Sequence, residues 1–139
     1  MEILTSIPVP VNEGETIPCV LQSVNERISR RAHEIFVDRG RVDGHSLEDW
    51  LDAELEMIVK LDPSVRVNGE DLTVEVLLPE IDLPHVAVHI ASRQFLIASD
   101  IDEDGLQICQ LIDLPCEVSM DGVDAEQIRN MIRITAALA

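Results

Sequence analysis

From Pro63 onward, hydrophobicity repeats every second residue. Leu72, Val74, Val76 and Leu78 alternate with Thr73, Glu75 and Leu77, and Val86, Val88 and Ile90 alternate with Ala87, His89 and Ala91. A period of two sends successive side chains to opposite faces of an extended chain, whereas a helix would scatter the same residues around its axis. Val65 and Val67 form another such run, which ends at Asn68-Gly69, a hairpin-turn signal. A short apolar stretch follows at residues 95–99 and a longer one at 106–114. Several short strands with frequent turns predict an all-β, immunoglobulin-like sandwich over residues 61–139.

Ahead of it the period is helical. Ile28, Ala32, Ile35 and Phe36 recur at helix spacing, and so do Leu47, Trp50, Leu51, Leu55 and Ile58. Ser23-Val24-Asn25-Glu26 fits a capping box, Gly40 fits a helix stop, and Ser46 is a second cap. Residues 21–60 are therefore expected to form an antiparallel helix pair, with Phe36, Trp50 and Leu51 in its packing or in assembly. Residues 1–20 hold Pro8, Pro10, Pro18 and Gly14 and are expected to be an extended arm. Its segment Ile7-Pro8-Val9-Pro10-Val11 is apolar and stiffened by proline, and needs a place to dock. Residues 123–139 stay open between helix and strand, because Ile128, Met131, Ile132 and Thr135 suit one and residues 132–134 the other.

The chain has a net charge of −17, of which residues 61–139 carry −11 and residues 1–20 and 21–60 carry −3 each. Such a surface repels phosphate backbones and anionic lipid, so neither nucleic acid nor membrane is an expected partner. No apolar run is long enough to span a bilayer, the first residues lack a signal peptide's basic start, and the expected location is the cytoplasm. Three cysteines make no disulfide framework. The histidines His33, His45, His85 and His89 form no ligand set, and no nucleophile–histidine–acid arrangement or phosphate loop is visible, so no enzyme and no cofactor is expected. Asp100, Asp102, Asp104 and Gly105 begin a calcium-loop pattern, but Leu111 stands where its closing glutamate belongs; an acidic turn without metal is expected.

Two motif sets carry a resemblance. Residues 74–81 (VEVLLPEI), the strands at 86–90 and 95–97, residues 112–118 (IDLPCEV), then Val123-Asp124-Ala125 and residues 131–134 (MIRI) follow in order. Over residues 63–135 this resembles the α-crystallin domain of small heat-shock proteins. Asn130 falls where that family has its glycine, in a left-handed turn that asparagine tolerates. The resemblance favours strands over helix near the C-terminus. Separately, Arg31, Ala32, Glu34, Gly40, Leu47, Trp50, Leu51, Ala53 and Glu54 are similar to a short bacterial domain of unknown function.

The resemblance implies an ATP-independent stress-response chaperone, a holdase that takes partly unfolded protein clients at apolar grooves and edge strands. The groove it implies involves Val86, Val88, Ile90 and Ile128, and in the family it receives an I/V-x-I/V segment. Ile7-Pro8-Val9 and Val9-Pro10-Val11 fit that pattern, so the arm is expected to dock there through Ile7, Val9 and Val11. The departures matter too. Only residues 100–105 stand where bacterial members carry a long loop with a swapped strand, and Gln110 replaces an interfacial arginine. That makes the sandwich resemble co-chaperone CS-type domains, so the alternative is a non-enzymatic adaptor without general client activity. Any homo-oligomer would use the helix pair or an edge strand.

Overall fold

A computed structural model describes residues 6–13, 16–41, 44, 46–78 and 86–139. The expected turn at Pro79, Glu80 and Ile81, Gly14, and the histidines His45 and His85 lie outside them. In chain order the elements are β1 (Ser6–Pro8), β2 (Val11–Glu13), α1 (Thr16–Asp38), α2 (Ser46–Met57), β3 (Ile58–Val59), β4 (Ser64–Asn68), β5 (Asp71–Leu77), β6 (Ala87–Ile90), β7 (Gln94–Ala98), β8 (Gln107–Asp113), β9 (Asp124–Ile128) and β10 (Met131–Ala137). They make two helices and a sandwich of two five-stranded sheets, ordered β1-β9-β10-β5-β4 and β2-β6-β7-β8-β3.

The alternation seen in the sequence sets the inner faces. Leu72, Val74 and Val76 of β5 meet Ile132, Ile134 and Ala136 of β10 in one sheet, and Val88, Ile90, Phe95, Ile97, Ile108 and Ile112 come from the other. Nearly all are sealed from solvent, and each large one contributes roughly 1.5–3 kcal/mol of burial. The C-terminal segment is a β-hairpin, β9 to β10, as the resemblance implied and helix propensity did not. Cross-strand pairing overrides propensity here, because Ile132 and Ile134 gain a fully buried layer only as strand residues.

Two local expectations need correction. First, α1 begins at Thr16, not at Ser23, so it takes in the end of the expected extended arm. Pro18 is tolerated in the first turn, where a backbone N–H has no intrahelical partner to lose. Second, the left-handed residue of the β9–β10 turn is Arg129, with φ 56°, rather than Asn130. The hairpin signalled at Asn68-Gly69 is present between β4 and β5, with Gly69 and Glu70 as its two central residues and Gly69 at φ 67°.

The helix stop at Gly40 follows the expected geometry. The Gly40 N–H donates to the Val37 carbonyl and the Arg41 N–H to the Phe36 carbonyl, the paired bonds of a Schellman end, with Gly40 at φ 87°. Arg39 ties the end of α1 to the start of α2 through Asp49 at 3.0 Å. The helix pair lies on the outer face of the second sheet. Ile17, Val24 and Ile28 of α1 and Ala53 of α2 form a second core with Leu96, Ala98 and Cys109. Arg27 fastens the other end, donating to the Gln107 side-chain oxygen and, at 3.2 Å, to the Gly105 carbonyl.

Candidate polypeptide-binding groove

One flank of the sandwich is closed by the N-terminal segment. β1 pairs antiparallel with β9, Ile7 opposite Gln127, and β2 pairs parallel with β6, Val11 opposite Val88. Between them the chain crosses from one sheet to the other. Val9 donates its N–H to the Ala125 carbonyl at 3.0 Å, and the Pro10 carbonyl accepts from Val88 N–H at 2.9 Å. The Val9 side chain is 7% exposed and sits in the inter-sheet core. Prolines at 8 and 10 suit this path, since each removes a donor and fixes φ near the extended region. A short apolar segment thus lies in extended form across the crease, held by backbone bonds to both sheets and by one buried valine.

The site residues expected from sequence divide accordingly. Val11 and Val86 are half-buried and packed against the inter-sheet core. Val88 and Ile90 are wholly buried, so β6 offers the segment its backbone edge rather than those side chains. Ile128 does not join them. The register sets Ile132 opposite Gln127, so the next residue, Ile128, points to the outer face beside Met131. Ala125, a residue that sequence reasoning missed, takes an inner position on β9 and shares the inter-sheet core with Val9. Of Ile7, the register with Gln127 is what the backbone gives.

The remaining sheet edges are also shaped by this chain. β3 pairs parallel with β8, Ile58 opposite Gln107, and the Leu61 N–H donates to the Gln110 side-chain oxygen at 2.9 Å. Gln110 therefore ties the chain to itself. Residues 100–105 form a tight turn. The Asp102 carboxylate accepts from the backbone N–H of Asp104 at 2.9 Å and of Leu106 at 2.8 Å. That carboxylate is committed to the turn, and no group of three or more His, Cys, Asp or Glu side chains suited to a metal occurs among the described residues. Among the described residues the outermost strands are β1 and β4 in one sheet and β2 and β3 in the other, and β4 is the longest of the four.

In the helix pair, Trp50 is half-buried against the helix–sheet core, and Phe36 is half-buried with its ring 6.0 Å from that of His33. Leu51 is 47% exposed and makes no part of that packing. Arg31 links the two helices through Glu56 at 2.7 Å, a hydrogen bond that holds the Glu56 carboxyl below its usual range. Burial raises the Cys109 thiol, so it is a core residue and not a reactive one. No helix among the described residues is long and apolar enough to cross a membrane.

Residues 24–57 match the family described as "Protein of unknown function (DUF2934)". No curated protein matches the sequence. Among solved structures, heat shock protein 16.0 from Schizosaccharomyces pombe superposes with a TM-score of 0.50 at 14% identity, over 70% of this chain and 87% of that one. A point mutant of hsp14.1 from Sulfolobus solfataricus P2 superposes with a TM-score of 0.50 at 13% identity, over 91% of this chain and 93% of that one. A helix pair matching that uncharacterised family is therefore seated on a sandwich with the fold of the small heat-shock proteins.

Proposed function

We propose that this protein is an ATP-independent holdase of small heat-shock type, acting in the cytoplasm on partly unfolded polypeptides and catalysing no reaction. The single observation that supports this is the seat of Val9. The crease between β6 and β9 already accommodates an extended apolar segment, with backbone bonds on both sides and one side chain in the core. An unfolded client supplies the same pattern, an extended backbone with apolar residues at alternate positions. The chain's own arm is then a cis occupant that leaves when a client competes for the crease. The acidic body, with its net charge of −17, keeps such a complex in solution.

A second reading is favoured by the short 100–105 turn and by the pairing of this chain's own β1, β2 and β3 along β9, β6 and β8. It makes the protein an adaptor for one partner, without general client activity. Heat-induced aggregation of an unrelated client separates the two. The holdase reading expects protection by the full chain at or below equimolar ratio without ATP, and protection at a lower ratio when residues 1–13 are removed or Val9→Asp frees the arm. Apolar-dye fluorescence should rise in both variants and fall again when a synthetic peptide of residues 6–13 is added. Absence of protection by any of the three proteins would leave the adaptor. Unchanged dye binding in both variants would remove the crease as the site.

A further inference from the structure

β6 turns Val88 and Ile90 into the inter-sheet core, so Ala87 and His89 look the other way, towards α1. His89 lies where three elements meet. Asn12 of β2 stands opposite it in the parallel register, and Cys19 and Ser23 of α1 line the same cleft. Its Nδ1 is buried without a protein partner. β2 ends at Glu13 and α1 begins at Thr16, whose Oγ1 is also buried without a partner. Two unsatisfied polar atoms thus lie around the passage from β2 to α1, and each weakens the closed arrangement.

A neutral imidazole fits this place with its proton on Nε2 and a bare lone pair on Nδ1. A second proton goes to Nδ1, where it finds no acceptor. The titratable and charged groups around the ring do not compensate. Asp100 and Cys19 line the cleft, Gln107 at its border binds Arg27, and Leu96, opposite His89 on β7, is apolar. Burial lowers the His89 pKa even with Asp100 in the same cleft. The protonated ring therefore requires one of its covers to move. α1 is held by Ile17, Val24 and Ile28 in the helix–sheet core and by Arg27. β2 has three residues, joins the sheet along one side and leaves Asn12 exposed. β2 is the cover that gives way.

We propose that His89 is an acid-sensitive latch: its protonation releases β2 from β6 and frees the N-terminal arm on that side of the crease. The released form, with the ring in water, titrates at the ordinary 6.5 and the latched form below it. The arm is therefore held fully above 6.5 and loosens as pH falls from there through the latched-form value. At about pH 5.5 the gain in the released form is bounded at about tenfold. This inference concerns the chain's own pairing and is independent of the holdase reading.

Amide hydrogen exchange of the full chain tests it. The Val88 N–H donates to the Pro10 carbonyl at 2.9 Å, so it exchanges when the arm lifts from β6. Its protection, corrected for the intrinsic pH dependence of exchange, should fall about threefold to tenfold between about pH 7.5 and about pH 5.5. The paired amides of β5 and β10 should stay better protected at both pH values, which separates arm release from unfolding. His89→Gln and His89→Leu should each hold the Val88 protection level over that range. One keeps a polar side chain and the other an apolar one, so either serves if its counterpart fails to fold. Val88 protection that is level in the parent chain, that falls equally in a folded His89 variant, or that matches β5 and β10 throughout would each overturn the proposal.

Discussion

Arg129 occupies the left-handed region at φ 56°, in the first central position of the β9–β10 turn. A Cβ there costs about 1 kcal/mol or more, and glycine at that position suits the hairpin's twist. Arg129→Gly should therefore stabilise the fold by about 0.5 kcal/mol once glycine's extra freedom in the unfolded chain is deducted, read as a higher urea midpoint at unchanged slope. His89 gives the second prediction at this scale. It lies on the face of β6 that looks towards α1, in a cleft it shares with Cys19 and Asp100, and its Nδ1 is buried without a protein partner. Burial holds its pKa below the ordinary 6.5. The unfolded chain thus takes up this proton first as pH falls. The contribution to stability is complete above 6.5 and is lost as pH drops from there through the folded-state value. Replacing His89 by Leu should flatten the difference in unfolding free energy between about pH 7.5 and about pH 5.5, relative to the parent chain. An equal loss in both proteins would assign the slope to other groups.

Among the elements, the sandwich strands were legible because one face of each is core and the other is not, so the period of two survives in Leu72, Val74 and Val76. The groove was legible only in part. Its occupant was visible as an apolar segment between prolines, but parity decides which β9 residue looks inward, and parity depends on the register of the β9–β10 pair. The resemblance implied Ile128 in the groove; the register places Ala125 on the inner face, opposite Ile134. The seat of the helix pair also left a trace. Phe95, Leu96, Ile97 and Ala98 are apolar without alternation, the mark of a strand covered on both faces. Phe95 and Ile97 face the inter-sheet core, and Leu96 and Ala98 face the helices. The helices should then show two unlike faces to mutation. Ile28→Ala, in the helix–sheet core at 2% exposure, should cost about 2–4 kcal/mol, whereas Leu55→Ala on the exposed side of α2 should cost less than about 0.5 kcal/mol. Thermal or urea unfolding of the two variants checks the contrast.

Across the whole molecule, the two cores share one sheet. β7 and β8 supply Ile97 and Ile108 to the inter-sheet core and Leu96, Ala98 and Cys109 to the helix–sheet core. Neither layer can leave without exposing a face of that sheet. Polar ties reinforce the union at both ends, with Arg27 on the 100–105 turn and β3 leading directly out of α2 onto β8. The helix pair is thus a third layer of one body, not a tethered appendage, and the molecule should unfold as one unit. Trp50, the only tryptophan, reports on the helix layer, since it is half-buried in the helix–sheet core, and the strand band of the amide I infrared spectrum reports on the sheets. Thermal transitions followed by Trp50 fluorescence and by that strand band should coincide in midpoint. Leu96→Ala, wholly buried beneath the helices, should lower both midpoints together by an amount equivalent to about 2–4 kcal/mol. If the fluorescence transition in Leu96→Ala came first and left the sheet signal intact, the helices would be a separately unfolding unit, and the shared sheet would not couple them.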